Sequence, residues 1–460
     1  MRTASPSLAS RRDLPSPDAH NETTMLTFLA YAMIAVFMTA VMSNRLSALI
    51  ALILIPMAFA LIGGFGPMIP DMVLEGIKRI GPTAALLLFA ILYFGLMIDV
   101  GLFDPLVRLV VRVCHGDPLR VIVGSTLLAM VVSLDGDGST TFLICVTAMM
   151  PLHRSLGIRP LILPAVTILP NAIINIAPWG GPTARVMASL HLEPSQVFVP
   201  LIPAILLTCC GAVLIAARFG LIERRRLAAL PGIVPDSEET PMSQILASRR
   251  AVVARPAWLQ AFNLVLTAAL LVLLVADVLP LALMFMIAFA IAITVNFPGI
   301  REQRERIEAH AGSALSVVAV IFAAGVFTGI LQGTGMTDAL AKSVIYLIPE
   351  SAGNFIPLIT AVLSGPFTFL LSNDAFYFGV VPVLAEAARA YGIAPEVIAR
   401  ASLVGQPMHM LSPLVPALYV LTNLSEVETG ALQRFALPWA AGLAGLMLAG
   451  AVLTGAVPLY

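Results

Sequence analysis

Eight stretches of this chain, near residues 25–43, 46–64, 83–101, 196–218, 258–278, 279–297, 314–331 and 435–457, are almost wholly apolar and long enough to cross a bilayer. A helix of about 20 apolar residues spans the hydrocarbon of a membrane. Only helices and closed barrels can do so with every backbone amide satisfied. The chain is therefore expected to use lipid as its solvent and to fold as an all-α integral membrane protein with the lipid bilayer as its first partner. Composition agrees: 59% of the 460 residues are hydrophobic and 11% are charged, far from water-soluble domains. Lys plus Arg and Asp plus Glu each total 26, so no excess of charge points to nucleic acid.

Two further crossings, about 158–190 and 396–423, carry Pro, Gly, Asn, Gln and His in their middles. A continuous lipid-facing helix does not tolerate that content, so each is read as two half-helices around an unwound segment. The stretches 119–153 and 355–390 have room for two short arms each, with the polar residues between the arms, at Ser133 to Thr141 and Ser372 to Asp374. They are read as re-entrant helical hairpins, the alternative being full crossings joined by a polar external loop. The total is about ten crossings plus two hairpins.

The four cysteines Cys114, Cys145, Cys209 and Cys210 have no zinc or redox spacing and are expected to be packing residues. Residues 1–24 are polar, without the apolar core of a signal peptide. They are expected to be a disordered tail before Met25, which opens the first apolar run and is an alternative translation start.

An internal repeat organises these elements. Gly157, Ile158, Pro160 and Pro178 match Gly392, Ile393, Pro395 and Pro413 at a constant offset of 235, which also brings Ser139 onto Asp374. Hairpin falls on hairpin and broken helix on broken helix. The chain thus divides into the tail, a first repeat over 25–219, an Arg-rich linker over 220–256 and a second repeat over 257–460. An odd number of crossings per repeat turns the second copy upside down. Inverted repeats with discontinuous helices mark alternating-access transporters, whose site lies between the repeats. Arg218, Arg224, Arg225, Arg226, Arg249, Arg250 and Arg255 place the linker in the cytoplasm, which puts both termini outside. Lys78, Arg79 and the arginines of the tail then fall on the wrong side.

The first tip reads Ser133-Leu-Asp-Gly-Asp-Gly-Ser-Thr-Thr141. Its returning helix is expected to start in mid-membrane, capped by Ser139 or Thr140, with these residues and the first free amides facing an anion. The second tip, Ser372-Asn373-Asp374, repeats this from the other side. Asp135, Asp137 and Asp374 are costly in lipid and point to metal or proton coupling, since hard cations take oxygen ligands and crowded carboxylates hold protons. The simpler reading makes them helix caps. The first broken helix contributes Asn175, Gly180, Gly181, Thr183 and Arg185 as substrate-binding candidates, the planar fork of Arg185 suiting a carboxylate; otherwise Arg185 snorkels outward. In the second, Ser412 is a binding candidate and His409 is either a proton carrier or a buried hydrogen-bonding residue. Trp179 lines the site or plugs packing between repeats, Tyr377 packs in a hairpin, and Glu386 falls at an exposed arm end.

The segments SLDGDGSTT, NIAPWGGPTAR, FLLSNDAFYFGVVPVLAEA and GQPMHMLSPLVPALYV resemble the bacterial CitMHS family, citrate–metal:proton symporters within the ion transporter superfamily. The resemblance runs from Met25 to the C-terminus. It implies a protein of the bacterial cytoplasmic membrane, not an enzyme, that takes up citrate complexed with magnesium, calcium or another divalent cation. It further implies drive by protons, elevator-type motion, a homodimer and no permanently bound cofactor. Two other readings stand beside it: a sodium-coupled di- or tricarboxylate carrier of the same architecture, and an intramembrane aspartyl protease using two of the aspartates.

Overall fold

The computed structural model describes residues 17–43, 45–113, 116–229, 256–276, 278–347 and 353–459. Among these, every regular element is helical. The first repeat runs α1 (Pro17–Met42), α2 (Ala48–Ile62), α3 (Ile69–Asp99), α4 (Asp104–Val113), α5 (Pro118–Val132), α6 (Gly138–Ser155), α7 (Ile162–Ile174), α8 (Gly181–Leu190) and α9 (Ile202–Ala228). The second runs α10 (Ala257–Ala276), α11 (Leu281–Asn296), α12 (Ile300–Gly333), α13 (Met336–Leu347), α14 (Ile356–Leu370), α15 (Val381–Arg389), α16 (Pro395–Leu403), α17 (Pro416–Ser425) and α18 (Thr429–Leu453). A π-helical turn, Ala375–Val380, precedes α15, and one helical turn, Gln406–His409, follows α16. Element for element, the order repeats.

The backbone repeats as well. Gly157 and Gly392 both have left-handed φ, of 65° and 76°, and the two non-glycine residues with positive φ among the described residues, His191 and Glu426, close α8 and α17 at the same offset of 235.

The second copy is inverted, because equivalent helices pack antiparallel. Along α3 and α12, Met72 lies beside Gly329 and Gly333, Gly76 beside Gly325, and Gly95 beside His310. Asp99 at the end of α3 pairs with Arg306 near the start of α12 at 3.3 Å. The approach is as close as backbone allows: a Cβ on Gly76 would sit 2.0 Å from the Gly325 carbonyl oxygen, so only glycine fits there. Helices α9 and α18 repeat the arrangement, with Gly211 against Leu443 and Leu446, and Phe219 against Phe435 and Trp439.

Helices α2, α3, α11 and α12 pack on one another as one group. The hairpins and broken helices form a second, interlocked group. The returning arm α6 packs on α17 of the other repeat, and the π turn with α15 packs on α8. One continuous apolar core runs through both groups. Exposed Leu54, Ile62, Leu214, Val265, Val272 and Leu315 leave an outer surface suited to lipid.

Seven described helical stretches are long and apolar enough to cross a membrane, and α2, α7, α11 and α14 are shorter apolar helices. One of the seven, Pro118–Asp135, is the first hairpin arm. Its tip meets the breaks of both discontinuous helices, as detailed below, so it ends among them rather than in an external loop.

Several boundaries differ from the sequence reading, each for a local reason. Helix α1 already begins at Pro17, within the expected tail; residues 1–16 lie outside the described ones, as do Cys114 and most of the linker with Arg249, Arg250 and Arg255. Helices α3 and α12 begin well before their apolar runs. Pro82 is accommodated inside α3, and the polar first turns are held by contacts across the pair. Arg79, which charge counting left on the wrong side, donates to Glu75 at 3.0 Å and to Gln332 of α12 at 2.6 Å, so its charge is matched by a neighbouring carboxylate at the surface. The connectors α4 and α13 are too short to read as spans. Each is amphipathic: Val107 and Val110 are buried while Arg108 and Arg112 are exposed, and Ala339 and Leu340 are buried while Asp338 and Lys342 are exposed.

Candidate functional site

The first tip turns through a short 3-10 helix, Ser133–Asp135, and a left-handed Gly136 with φ 78°. Asp137, and not the expected Ser139 or Thr140, then caps α6. Its carboxylate accepts from the amides of Ser139 at 3.2 Å and Thr140 at 2.9 Å, and from the Thr140 hydroxyl. The free amides expected at this helix start are thus already held by the chain's own carboxylate, an N-cap of the ordinary kind. Asp135 accepts from the Asp137 amide at 3.0 Å through Oδ1, while its Oδ2 is buried without a partner.

Around this tip the broken crossings close in. Asn171 of α7 donates to the Ser133 hydroxyl at 3.0 Å, and Trp179 donates from Nε1 to the Leu134 carbonyl at 2.7 Å. The Trp179 ring also packs against Phe94 and, edge to face, against Phe285, centroids 5.2 and 5.1 Å away, so it both lines the tip and plugs the space toward α3 and α11. A side chain on Gly138 would meet Met410 and Ala417, which bound the second break. The first break coils tightly. A Cβ on Gly180 would fall 1.9 Å from the Asn175 carbonyl oxygen, and Thr183, fully buried, donates back to the Ile176 carbonyl at 2.6 Å.

The second tip is built differently. Ser372 caps it by accepting from the Ala375 amide at 3.2 Å. Asp374 instead reaches the other repeat, where Arg185 on α8 donates to its Oδ1 at 2.6 Å. Arg185 also donates to the Gly181 carbonyl at 3.0 Å. Both side chains are about one-fifth exposed, at 20% and 21%, so Arg185 faces inward and does not snorkel. His409 bonds through Nδ1 to the Thr368 carbonyl at 2.7 Å. A carbonyl only accepts, so the Nδ1 proton is fixed and Nε2 is the nitrogen left to exchange one. Ser412 is fully buried and accepts from the Leu414 amide at 3.2 Å.

Contacts therefore join both tips and both breaks into one junction. Within it, Asp135 Oδ2, Asn171 Oδ1, Asn175 Oδ1 and Asn373 Oδ1 are buried oxygens with no protein partner. Buried polar atoms are normally satisfied, and four uncommitted oxygens at one junction suit a guest that accepts their lone pairs, such as a cation or a proton-bearing group. Among the described residues no group of three or more His, Cys, Asp and Glu side chains is placed to hold a metal ion, so Asp135, Asp137 and Asp374 do not form a ready carboxylate cage.

Sequence reading passed over Asn171 and the supporting chain Gln406–Tyr377–Ser402, in which Gln406 donates to the Tyr377 hydroxyl at 2.6 Å and Tyr377 donates to the Ser402 carbonyl at 3.4 Å. An amide in the middle of an intramembrane segment was the visible signal for both. Tyr377 packs as expected, fully buried against Phe376. Glu386 is not at an exposed end: its side chain is 18% exposed beside Arg389, because α15 folds back on α16.

Two inverted repeats, each with a hairpin ending on a broken helix, define a multi-pass cell-membrane transporter and not an enzyme. The model of the citrate transporter family, CitMHS, matches residues 34–405. Two Bacillus subtilis proteins cover 94% of the chain. A "Citrate transporter" is 51% identical over its full length, and an "Mg(2+)/citrate complex secondary transporter" is 46% identical over 99% of its own. The Alcanivorax borkumensis YdaH transporter, whose crystal structure is described as having an unusual topology, shares the fold with TM-score 0.56 at 15% identity, covering 95% of this chain and 99% of that one. The chain belongs to the CitMHS citrate transporter family.

Proposed function

We propose that this chain is a secondary active transporter that takes up citrate complexed with a divalent cation, magnesium or calcium, coupled to protons. The observation that carries this reading is the 2.6 Å pair between Arg185 of the first repeat and Asp374 of the second. A carboxylate already occupies the guanidinium through Nε, and a carboxylate of the substrate can replace it and use the planar fork more fully. Asp374, released, then either takes up a proton or turns its oxygens to the metal. Either outcome couples citrate binding to a second charge and removes an unpaired carboxylate from a poorly solvated site.

The cargo metal finds oxygen ligands in the citrate itself, in Asp135 Oδ2 and in the amide oxygens of Asn175 and Asn373, the ligand type that magnesium and calcium prefer. Ser139, Thr140, Gly180, Gly181, Thr183, Ser372 and Ser412 shape the pocket through the tips and breaks, and His409 Nε2 is the second proton-exchanging group. The two packing groups support elevator motion: α2, α3, α11 and α12, with their glycine contact, suit a fixed scaffold. The hairpins and broken helices suit a moving body that meets α3 and α12 chiefly through α8. The relatives named for citrate and for Mg(2+)/citrate support the substrate. A protease reading has little to stand on, since Asp135 and Asp137 share one turn and are bonded within it.

Uptake of labelled citrate into proteoliposomes tests the proposal. Rates are expected to require magnesium or calcium and an inward proton gradient. Strict dependence on sodium, with indifference to the divalent ion, would replace it with the sodium-coupled reading, which the uncharged oxygens of Asn171, Asn175 and Asn373 favour.

A further inference from the structure

A cavity of about 280 Å³ lies at the base of the first hairpin, between the end of α6, the start of α7 and the end of α17. At ~30 Å³ per water it holds roughly nine, far more than one bridging solvent molecule. Two lining residues carry buried polar atoms with no partner, Nδ1 of His153 and Oγ of Ser425, on residues 3% and 2% exposed. The state of the imidazole follows from its neighbour. Ser125 donates its hydroxyl proton to the Val121 carbonyl at 2.8 Å, so at 3.0 Å from His153 Nε2 its oxygen accepts. The ring proton is then on Nε2, and Nδ1 is a bare acceptor awaiting a donor.

The rest of the lining is Arg154, Arg159 and Glu426 among apolar residues. Arg154 pairs with Glu426 at 2.8 Å through Nη2. Arg159 pairs with the fully buried Glu223 through Nε, and Glu223 is shared with Arg226 at 2.8 Å. Three arginines against two glutamates leave one net positive charge, and each lining guanidinium engages one of its nitrogens in its ion pair, leaving further donors. Hydrogen-bond acceptors are needed for the arginines and for Ser425, and one donor is needed for Nδ1.

The inverted counterpart of this cavity keeps an arginine, Arg389, at the place of Arg154 but lacks three of these residues. At the offset of 235, His153 becomes Ala388, Arg159 becomes Ala394 and Ser425 becomes Leu190. The corresponding cavity beside Glu386 and Arg389 is smaller, about 110 Å³, and its Ser189 hydroxyl is satisfied by the Val186 carbonyl at 3.1 Å. Packing of the repeat therefore does not call for the polar set, which belongs to one face alone. That face is the one where Arg226 at the end of α9 bonds the Gly157 carbonyl, the expected cytoplasmic end.

We propose that this cavity is a second ligand site, which takes a small oxyanion carrying a hydroxyl, either hydrogen phosphate or a hydroxycarboxylate. Its oxygens meet Arg154, Arg159 and the Ser425 hydroxyl, and its own hydroxyl donates to Nδ1 of His153. His153 is fifteen residues along α6 from Gly138, about 22 Å of helix, so the site is separate from the junction at the tips. A ligand there bridges α6 of one repeat and α17 of the other, two packed elements of the body that carries the hairpins and broken helices.

Thermal unfolding of the purified full chain in detergent tests this with inorganic phosphate and with malate, against sulfate and succinate, which have no hydroxyl to donate. Phosphate, malate or both are expected to raise Tm by several degrees, which of the two identifying the source, while sulfate and succinate do not. Ser425→Ala removes one contact and Met150→Trp fills the cavity from a wall that makes none; either is expected to abolish the shift, and Arg185→Lys to retain it. The proposal is overturned by the absence of any shift, by equal shifts with sulfate and succinate, by a shift surviving both cavity variants, or by its loss in Arg185→Lys. The readout is binding, so failure of the citrate reading would leave it standing.

Discussion

The two hairpin tips occupy equivalent positions in the repeats but spend their carboxylates in opposite ways. At the first, Asp137 bonds only its own helix, through Ser139 and Thr140, and the tip is tied to its neighbour by Trp179. At the second, Ser372 does the capping and Asp374 is released to bind Arg185 of the other repeat. A cap is consumed by the fold and cannot be given up without fraying the helix. An ion pair between repeats can be exchanged for a ligand carboxylate. We propose on this contrast that Asp137 serves structure and Asp374 serves switching.

The sharpest way to break it is Asp374→Asn. Uptake of citrate is expected to fall at least about 100-fold, ~2.8 kcal/mol at 1.4 kcal/mol per tenfold and within the range for truncating one side of a buried charge pair, while the protein still inserts. Uptake near wild type would remove Asp374 from the coupling path. Next in size is Arg185→Lys. An ammonium is a point charge without the planar fork, and a lost charge-assisted hydrogen bond of about 1.5 kcal/mol corresponds to roughly tenfold weaker binding. That should appear as a higher KM for citrate, and an unchanged KM would separate Arg185 from the substrate. Third is Trp179→Phe, which leaves the Leu134 carbonyl unpaired at about 1–3 kcal/mol. It should lower Tm while leaving the order of divalent-ion preference unchanged, because it loosens the first tip and leaves the second intact.

Much of this contrast could be read in the sequence, and part could not. The offset of 235 placed both tips and both breaks, because Pro and Gly in apolar surroundings have few roles besides interrupting helices. Cost in lipid marked Asp374, and the planar fork marked Arg185 as a partner for a carboxylate. Their mutual pairing across 189 positions depends on how inverted copies dock, which no local pattern records. The long polar starts of α3 and α12 were missed for a related reason. Hydropathy reports what faces lipid, whereas Arg79, Asp99 and His310 are satisfied by one another's helices. At Asp137 the residue types allowed both a cap and an ion site, and only the bonded geometry separates them.

The smallest expected effect is therefore at Asp137, and it is the one that most sharpens the comparison. Asparagine caps a helix as well as aspartate, whereas alanine costs about 1 kcal/mol at such a position. If the carboxylate only caps, Asp137→Asn keeps citrate uptake within about threefold, since its oxygen still accepts from the amides, and Asp137→Ala lowers stability and uptake together. If the charge itself serves the metal or the proton, Asn fails as completely as Ala while Tm stays high. Measuring Tm and uptake on both variants separates the outcomes: loss of transport in a thermally intact Asp137→Asn protein would move the first tip from structure to coupling and make the two tips functionally alike.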